Sequence, residues 1–318
     1  MIKAAFAFAT LVACTPGFSQ RPSNPALLIP QSAPELDYVA VANPVSLPPG
    51  MTMGAPASVA FDAKGHLWVL NRGAQPLMEF DENGKFLRSL GQGMFTRTHG
   101  LRLDKDANIW ITDVGAHIVV KLNPQGETLL TLGTKGQSGE WNEATESRHF
   151  TEPNDIAFGR NGDVFVVQGH TPQGGDPRVL KFDKDGKFLK SWGGKGTEPG
   201  KFAVAHGIAI DPDGQLWVAD RENQRIQIFD QDGKFVRELK YAGLPCGLQF
   251  VDSNIFMVNG FTGQLLKLDR SGTVLAATGK PGKELGEFGE AHFLAVSPKG
   301  EIFIADTVKP ALHKFVKK

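Results

Sequence analysis

Apolar and polar residues alternate along this chain in short runs, and no stretch carries a convincing helical period. One kind of run ends in an acidic or small turn residue. It occurs as Ser58-Val-Ala-Phe-Asp62, Gly100-Leu-Arg-Leu-Asp104, Asp155-Ile-Ala-Phe-Gly159, Gly207-Ile-Ala-Ile-Asp211, Gly247-Leu-Gln-Phe-Val251 and Phe293-Leu-Ala-Val-Ser297. The six copies start 42, 55, 52, 40 and 46 residues apart, a spacing that brackets a four-stranded propeller blade. Each is followed, across a turn such as Asp213-Gly214, by a run that is apolar on both faces, for example Leu67-Trp-Val-Leu70 or Leu216-Trp-Val-Ala219. Such a run suits a strand sandwiched between neighbouring blades. A third strand such as Arg225–Phe229 and a fourth such as Phe235–Leu239 follow, separated by the hairpin dipeptide Asp232-Gly233. The pattern predicts an all-β chain folded as a six-bladed β-propeller.

The sixth copy stops at Ala311-Leu-His-Lys-Phe-Val316, with no room for a fourth strand, while Leu36-Asp-Tyr-Val-Ala-Val-Ala42 is a strand outside the repeats. This N-terminal strand is expected to complete the last blade and close the ring over residues 36–318, leaving no long edge to pair with another chain. Residues 20–35, rich in Pro and Ser, read as a linker, and insertions around 138–148 and 171–176 as loops over one face. At the N-terminus, Met1-Ile2-Lys3 and the apolar run from Ala4 to Ala13 make residues 1–19 an export signal. Two cleavage readings stand side by side. Leu11-Val-Ala-Cys14 has the form of a bacterial lipobox, which would put a lipid anchor on Cys14, and Gly17-Phe-Ser19 suits an ordinary signal peptidase. The apolar run is too short to span a bilayer as a helix, which needs about 20 residues, so a secreted or periplasmic location without a membrane span is expected.

Composition narrows the partners. Cys246 is the only cysteine besides Cys14, so the mature domain forms no internal disulfide. Thirty-four basic against 34 acidic side chains leave no net charge, which removes the electrostatic case for nucleic acid or an anionic membrane surface. A monomer acting on a small-molecule or peptide-derived substrate is the expectation.

The residue leading each first strand should point towards the propeller axis. In order, these residues are Ala57, His99, Asn154, His206, Cys246 and His292, so histidine falls on every second blade. In a six-fold ring those blades lie about 120° apart, and three imidazoles at one height converge. Three neutral imidazoles with an open fourth position are the ligand set of a catalytic zinc site. A single histidine at a strand start is unremarkable, but three in strict alternation favour a metal. A second polar column, Asn71, Asp113, Gln168, Asp220, Asn259 and Asp306, follows the second strands and is expected to satisfy turn backbone. Arg72 and Arg221 stand beside it, where a guanidinium could hold a carboxylate.

The stretches Thr98-His-Gly-Leu-Arg-Leu-Asp-Lys-Asp-Ala-Asn-Ile-Trp-Ile-Thr-Asp-Val-Gly-Ala-His117, Glu152-Pro-Asn-Asp-Ile-Ala157, Ala205-His-Gly-Ile-Ala-Ile210 and Val218-Ala-Asp-Arg-Glu-Asn-Gln-Arg-Ile-Gln-Ile-Phe229 resemble the peptidyl-α-hydroxyglycine α-amidating lyases, whose propellers are built from NHL repeats. The similarity runs over nearly all of residues 55–318. The resemblance implies a zinc ion on the axis held by His99, His206 and His292, which promotes cleavage of a peptidyl-α-hydroxyglycine into a peptide amide and glyoxylate. It also places the family's catalytic arginine on Arg72.

The departures are specific. The family's catalytic tyrosine falls near His170 of Gln168-Gly-His-Thr171, and a methionine two residues before the third histidine becomes Glu290. The aspartate that binds calcium in the family is Phe293, so calcium loses that ligand. The expected function is a metal-dependent lyase, or a hydrolase, acting on a small carboxylate-bearing or hydroxylated substrate, with His170 or Glu290 as general acid or base and Arg72 orienting an acidic group. The alternative is a non-enzymatic NHL propeller that binds protein or glycan in the cell envelope.

Overall fold

The computed structural model describes residues 21–172 and 175–318, so the expected export signal and Cys14 lie outside the described residues. Six four-stranded antiparallel sheets follow one another around a ring. The innermost strands are Pro56–Phe61, Thr98–Leu103, Pro153–Phe158, Ala205–Ile210, Pro245–Val251 and Ala291–Val296. The last sheet takes its outermost strand from Tyr38–Val41, which pairs antiparallel with Ala311–Lys317 in the register Tyr38↔Lys317 to Val41↔Lys314. The described residues contain no α-helix, only four short 3-10 turns.

The second strand of every blade, apart from the leading Asn254 of the fifth, is buried along its length because both its faces meet a neighbouring blade. The core is accordingly divided into six apolar clusters, each spanning two adjacent blades. In one, Leu70 and Leu77 of the first blade pack against Leu101, Ile109 and Ile111 of the second; in another, Val59 and Val69 pack against Ala295, Phe303 and Ala305 of the sixth and complete the circle. Each such Val, Leu, Ile or Phe side chain contributes roughly 1.5–3 kcal/mol on burial. No blade could bury its faces alone.

The column after the second strands is a structural tie. In all six blades its side chain hydrogen-bonds the backbone of the residue 17 positions earlier, in the segment that leads into the innermost strand: Gly54, Thr96, Thr151, Ala203, Ala242 and Gly289. It therefore fixes the height at which each innermost strand begins.

Two connecting segments differ from expectation. The stretch expected as a linker is docked on the fifth blade: the backbone N–H of Ala277 donates to the Pro34 carbonyl at 2.8 Å, and the Gln31 N–H to Gln264 Oε1 at 2.7 Å. Polar backbone running along a sheet edge finds partners there, which a Pro-rich composition does not reveal. The insertion around 138–148 is a hairpin, Trp141–Asn142 against Ser147–Arg148, anchored by the Trp141 ring on Phe182 at 4.8 Å and Phe150 at 5.1 Å.

Candidate metal centre

Each innermost strand pairs with the second strand out of register at its leading residues. The shift falls between Pro56 and Ser58, Thr98 and Leu101, Pro153 and Asp155, Ala205 and Gly207, Pro245 and Leu248, and Ala291 and Phe293. The axial column, with its three histidines, thus sits on six β-bulges, a device that turns a side chain out of the normal alternation. Close approach of neighbouring inner strands is possible because small residues follow: a Cβ on Gly207 would lie 2.2 Å from the Cys246 carbonyl oxygen.

His99, His206 and His292 come together as the alternation predicts, with ring centroids 4.5 to 4.9 Å apart. His170 joins them, 4.7 Å from His99, and one ring nitrogen of each of the four lies within 4.8 Å of the others. All four are buried, none more than 5 % exposed. The Nδ1 atoms of His99 and His292 meet backbone carbonyls in the leading column of the next blade, Asn154 at 2.8 Å and Ala57 at 2.7 Å. A carbonyl can only accept, so Nδ1 carries the proton and Nε2 offers its lone pair. His206 turns towards the backbone of Cys246, the equivalent position, without closing a hydrogen bond of normal geometry.

Burial, first of all, holds all four imidazoles well below their ordinary pKa, and neighbouring histidines and arginines push in the same direction. Burial therefore favours the neutral form of each ring. Yet His99 Nε2, both nitrogens of His206 and His170 Nδ1 are buried without a hydrogen-bond partner. Orphaned polar atoms at one point cost roughly 1–3 kcal/mol each unless something satisfies them, and converging lone pairs call for a cation. The donor set fits a divalent metal that prefers nitrogen.

Cations of the chain surround the cluster without entering it. Arg72 donates from Nε to the Thr98 carbonyl at 3.2 Å, and its pKa is pushed down to about 10 by burial and then by Arg97. Glu290 is buried, accepts from Thr307 Oγ1 at 2.5 Å and lies 3.7 Å from Arg221 Nη1. Burial opposes the charge of Arg221, but the carboxylates of Glu222 and Glu290 outweigh it. Arg97 is the member that sequence reasoning missed; it feels Glu152, Glu290 and Arg221, and its only signal is its place two residues before His99.

Beneath the histidines the axis is filled by Phe293, stacked on His206 with ring centroids 5.5 Å apart. Its ring offers no oxygen to a second cation. A guanidinium belonging to the chain stands there instead: Arg102 lies 5.3 Å over the Phe293 ring and pairs with the buried Asp155 at 2.6 Å. Further along the axis, at the far end of the innermost strands, a cavity of about 350 Å³ opens.

The NHL repeat family model matches residues 202–229. Over 315 residues the chain is 33% identical to the peptidyl-glycine alpha-amidating monooxygenase of Mus musculus, covering 85% of this chain and 31% of that protein. It is 31% identical over 266 residues to peptidyl-alpha-hydroxyglycine alpha-amidating lyase 1 of Drosophila melanogaster, covering 73% of this chain and 47% of that protein. The chain thus spans about a third of the first relative and about half of the second. A solved streptogramin B lyase superposes with a TM-score of 0.62 at 18% identity, over 88% of this chain and 98% of that one, a likeness of fold alone.

Proposed function

For a chain that is an NHL-repeat six-bladed β-propeller resembling the peptidyl-α-hydroxyglycine α-amidating lyases, we propose a metal-dependent lyase acting on a hydroxylated, carboxylate-bearing substrate such as a peptide-derived α-hydroxyglycine. The observation that carries this reading is the set of converging, neutral, orphaned imidazole nitrogens ringed by arginines. His99, His206 and His292 would hold the metal, zinc being the match for three imidazoles, and it would supply Lewis-acid polarisation of a substrate oxygen. Calcium is not part of the proposal, since Phe293 stands in the axial position.

Arg72 binds the carboxylate. Its charge is disfavoured by burial and by Arg97, so an anion placed beside it is stabilised. In the lyase reaction the substrate hydroxyl loses its proton as a carbonyl forms and the C–N bond breaks, and the departing amide nitrogen gains a proton. His170, whose burial favours the neutral imidazole, and Glu290 would take the first proton and return the second. With residues 1–19 read as an export signal, this chemistry lies in the periplasm or outside the cell, with Cys14 as an anchor if the lipobox is processed. Among the described residues no helix is long and apolar enough to cross a membrane.

One observation favours a second reading. A fourth imidazole beside the three is what a closed structural metal site has, which suits a propeller that binds protein or glycan without turnover. Metal content of purified wild type, His99→Ala and His206→Ala, measured with turnover of model α-hydroxyglycine compounds, separates the cases. Stoichiometric metal lost in both variants, with turnover in wild type, is the expected result. Absence of metal, or equal metal in all three proteins, would end the metal reading; bound metal without turnover would leave the scaffold.

A further inference from the structure

We propose that His170 is a fourth ligand of the metal centre in the substrate-free protein, an inference that rests on the three-histidine reading above. The imidazole is as near to His99 as the column histidines are to one another, 4.7 Å against 4.5 to 4.9 Å. It is buried, its Nδ1 has no hydrogen-bond partner, and one of its nitrogens belongs to the same group of ligand atoms within 4.8 Å.

His170 is also held in place from both sides. The Gly169 N–H donates to the carbonyls of Thr151 and Glu152 at 2.9 and 3.0 Å. The Thr171 N–H and Oγ1 donate to Glu152 Oε2 at 2.8 and 2.9 Å. Gly169 itself has φ +91, and a Cβ there would meet Pro177 Cα at 2.6 Å, so the loop can turn inward only with glycine at that point.

Nothing comparable occurs in the other blades. Two residues after the polar column the six blades carry Gly73, Gly115, His170, Glu222, Phe261 and Val308. The fourth imidazole comes from a loop, whereas the other three come from innermost strands. With a metal bound, His170 would hold its fourth position, and as the one ligand carried by a loop it would be the one to give way to a substrate oxygen, leaving its ring beside the reacting atoms.

The test counts ligands rather than turnover. Wild type and His170→Gln are loaded with cobalt(II), and imidazoles are counted by X-ray absorption alongside the visible spectrum, with circular dichroism to check folding. A second variant, His170→Asn, guards against a folding defect in the first. Four imidazoles in wild type, three plus oxygen in the variants, and a loss of metal affinity of roughly tenfold or more in chelator competition are expected. Three imidazoles in wild type, with an unchanged spectrum in the variants, would overturn the fourth ligand while leaving the three-histidine centre intact. Cobalt that fails to bind wild type at all would remove the centre itself, and this inference with it.

Discussion

Asp155 is a fully buried carboxylate on the axis side of the third blade, below the histidine cluster. Its carboxylate accepts from Arg102 at 2.6 Å and from the Ile208 N–H at 3.0 Å, while Oδ1 is buried without a partner. Burial pushes its pKa up to about 6 against the opposing pull of Arg102. In the unfolded chain an aspartate titrates near 3.9. Between those values the folded protein holds a proton that the unfolded chain has released, so the stability this proton contributes is present at low pH and is lost as pH rises towards about 6. At about 1.4 kcal/mol per pH unit, the window is worth up to about 3 kcal/mol. Asp155→Asn cannot titrate. Urea unfolding at several pH values should therefore show wild type gaining on the variant by up to about 3 kcal/mol from pH 6 to pH 4. A difference independent of pH would contradict the raised pKa.

At the scale of elements, the bulges and the polar column set the height of the histidines together. Asp306 accepts from the N–H groups of Gly289, Glu290, Val308 and Lys309 at 2.7 to 3.0 Å, and so suspends both the strand bearing His292 and the loop that follows. Asn259, in the same column, is tied to the previous segment by one bond to the Ala242 carbonyl. Hydrogen bonds to a charged group are worth about 1.5–3 kcal/mol each, neutral ones about 1, and they do not add fully. Asp306→Ala should therefore cost on the order of 3 kcal/mol or more and weaken metal binding. Asn259→Ala should cost about 1 kcal/mol and leave metal affinity unchanged. Calorimetry with metal titration on both variants measures the two effects, and equal losses would show that the column does not carry His292.

For the molecule as a whole, a metal on the axis would join the second, fourth and sixth blades, and mass action would then couple metal to global stability. At a free metal concentration of 100 times Kd the stabilisation is about 2.7 kcal/mol, or roughly 5–10 °C in Tm for a domain somewhat smaller than this one. Chelator-treated protein should melt lower by that order and recover on addition of zinc. His206→Ala should melt at one temperature with or without chelator. A wild type indifferent to chelator would mean that the axis holds no metal.

Six repeats, strand alternation and the orphan strand at Leu36–Ala42 were enough to read the ring and its closure, because each follows from local pattern and from the need to cover edges. The meeting of His99, His206 and His292 was legible for the same reason: a fixed position in a repeat becomes a fixed position around an axis. Arg97 and Arg102 were different, and His170 was singled out only through the family resemblance, not through the repeat. Arg102 sits in an alternating strand, and only the closed ring shows that its side chain lies over Phe293 on the axis. His170 reaches the centre through a loop whose path depends on Glu152 of the preceding segment. The sequence by itself determined what repeats, strand by strand. The tertiary structure decided what does not repeat, since the path of an inserted loop and the partner of a buried charge depend on contacts between residues far apart in the chain.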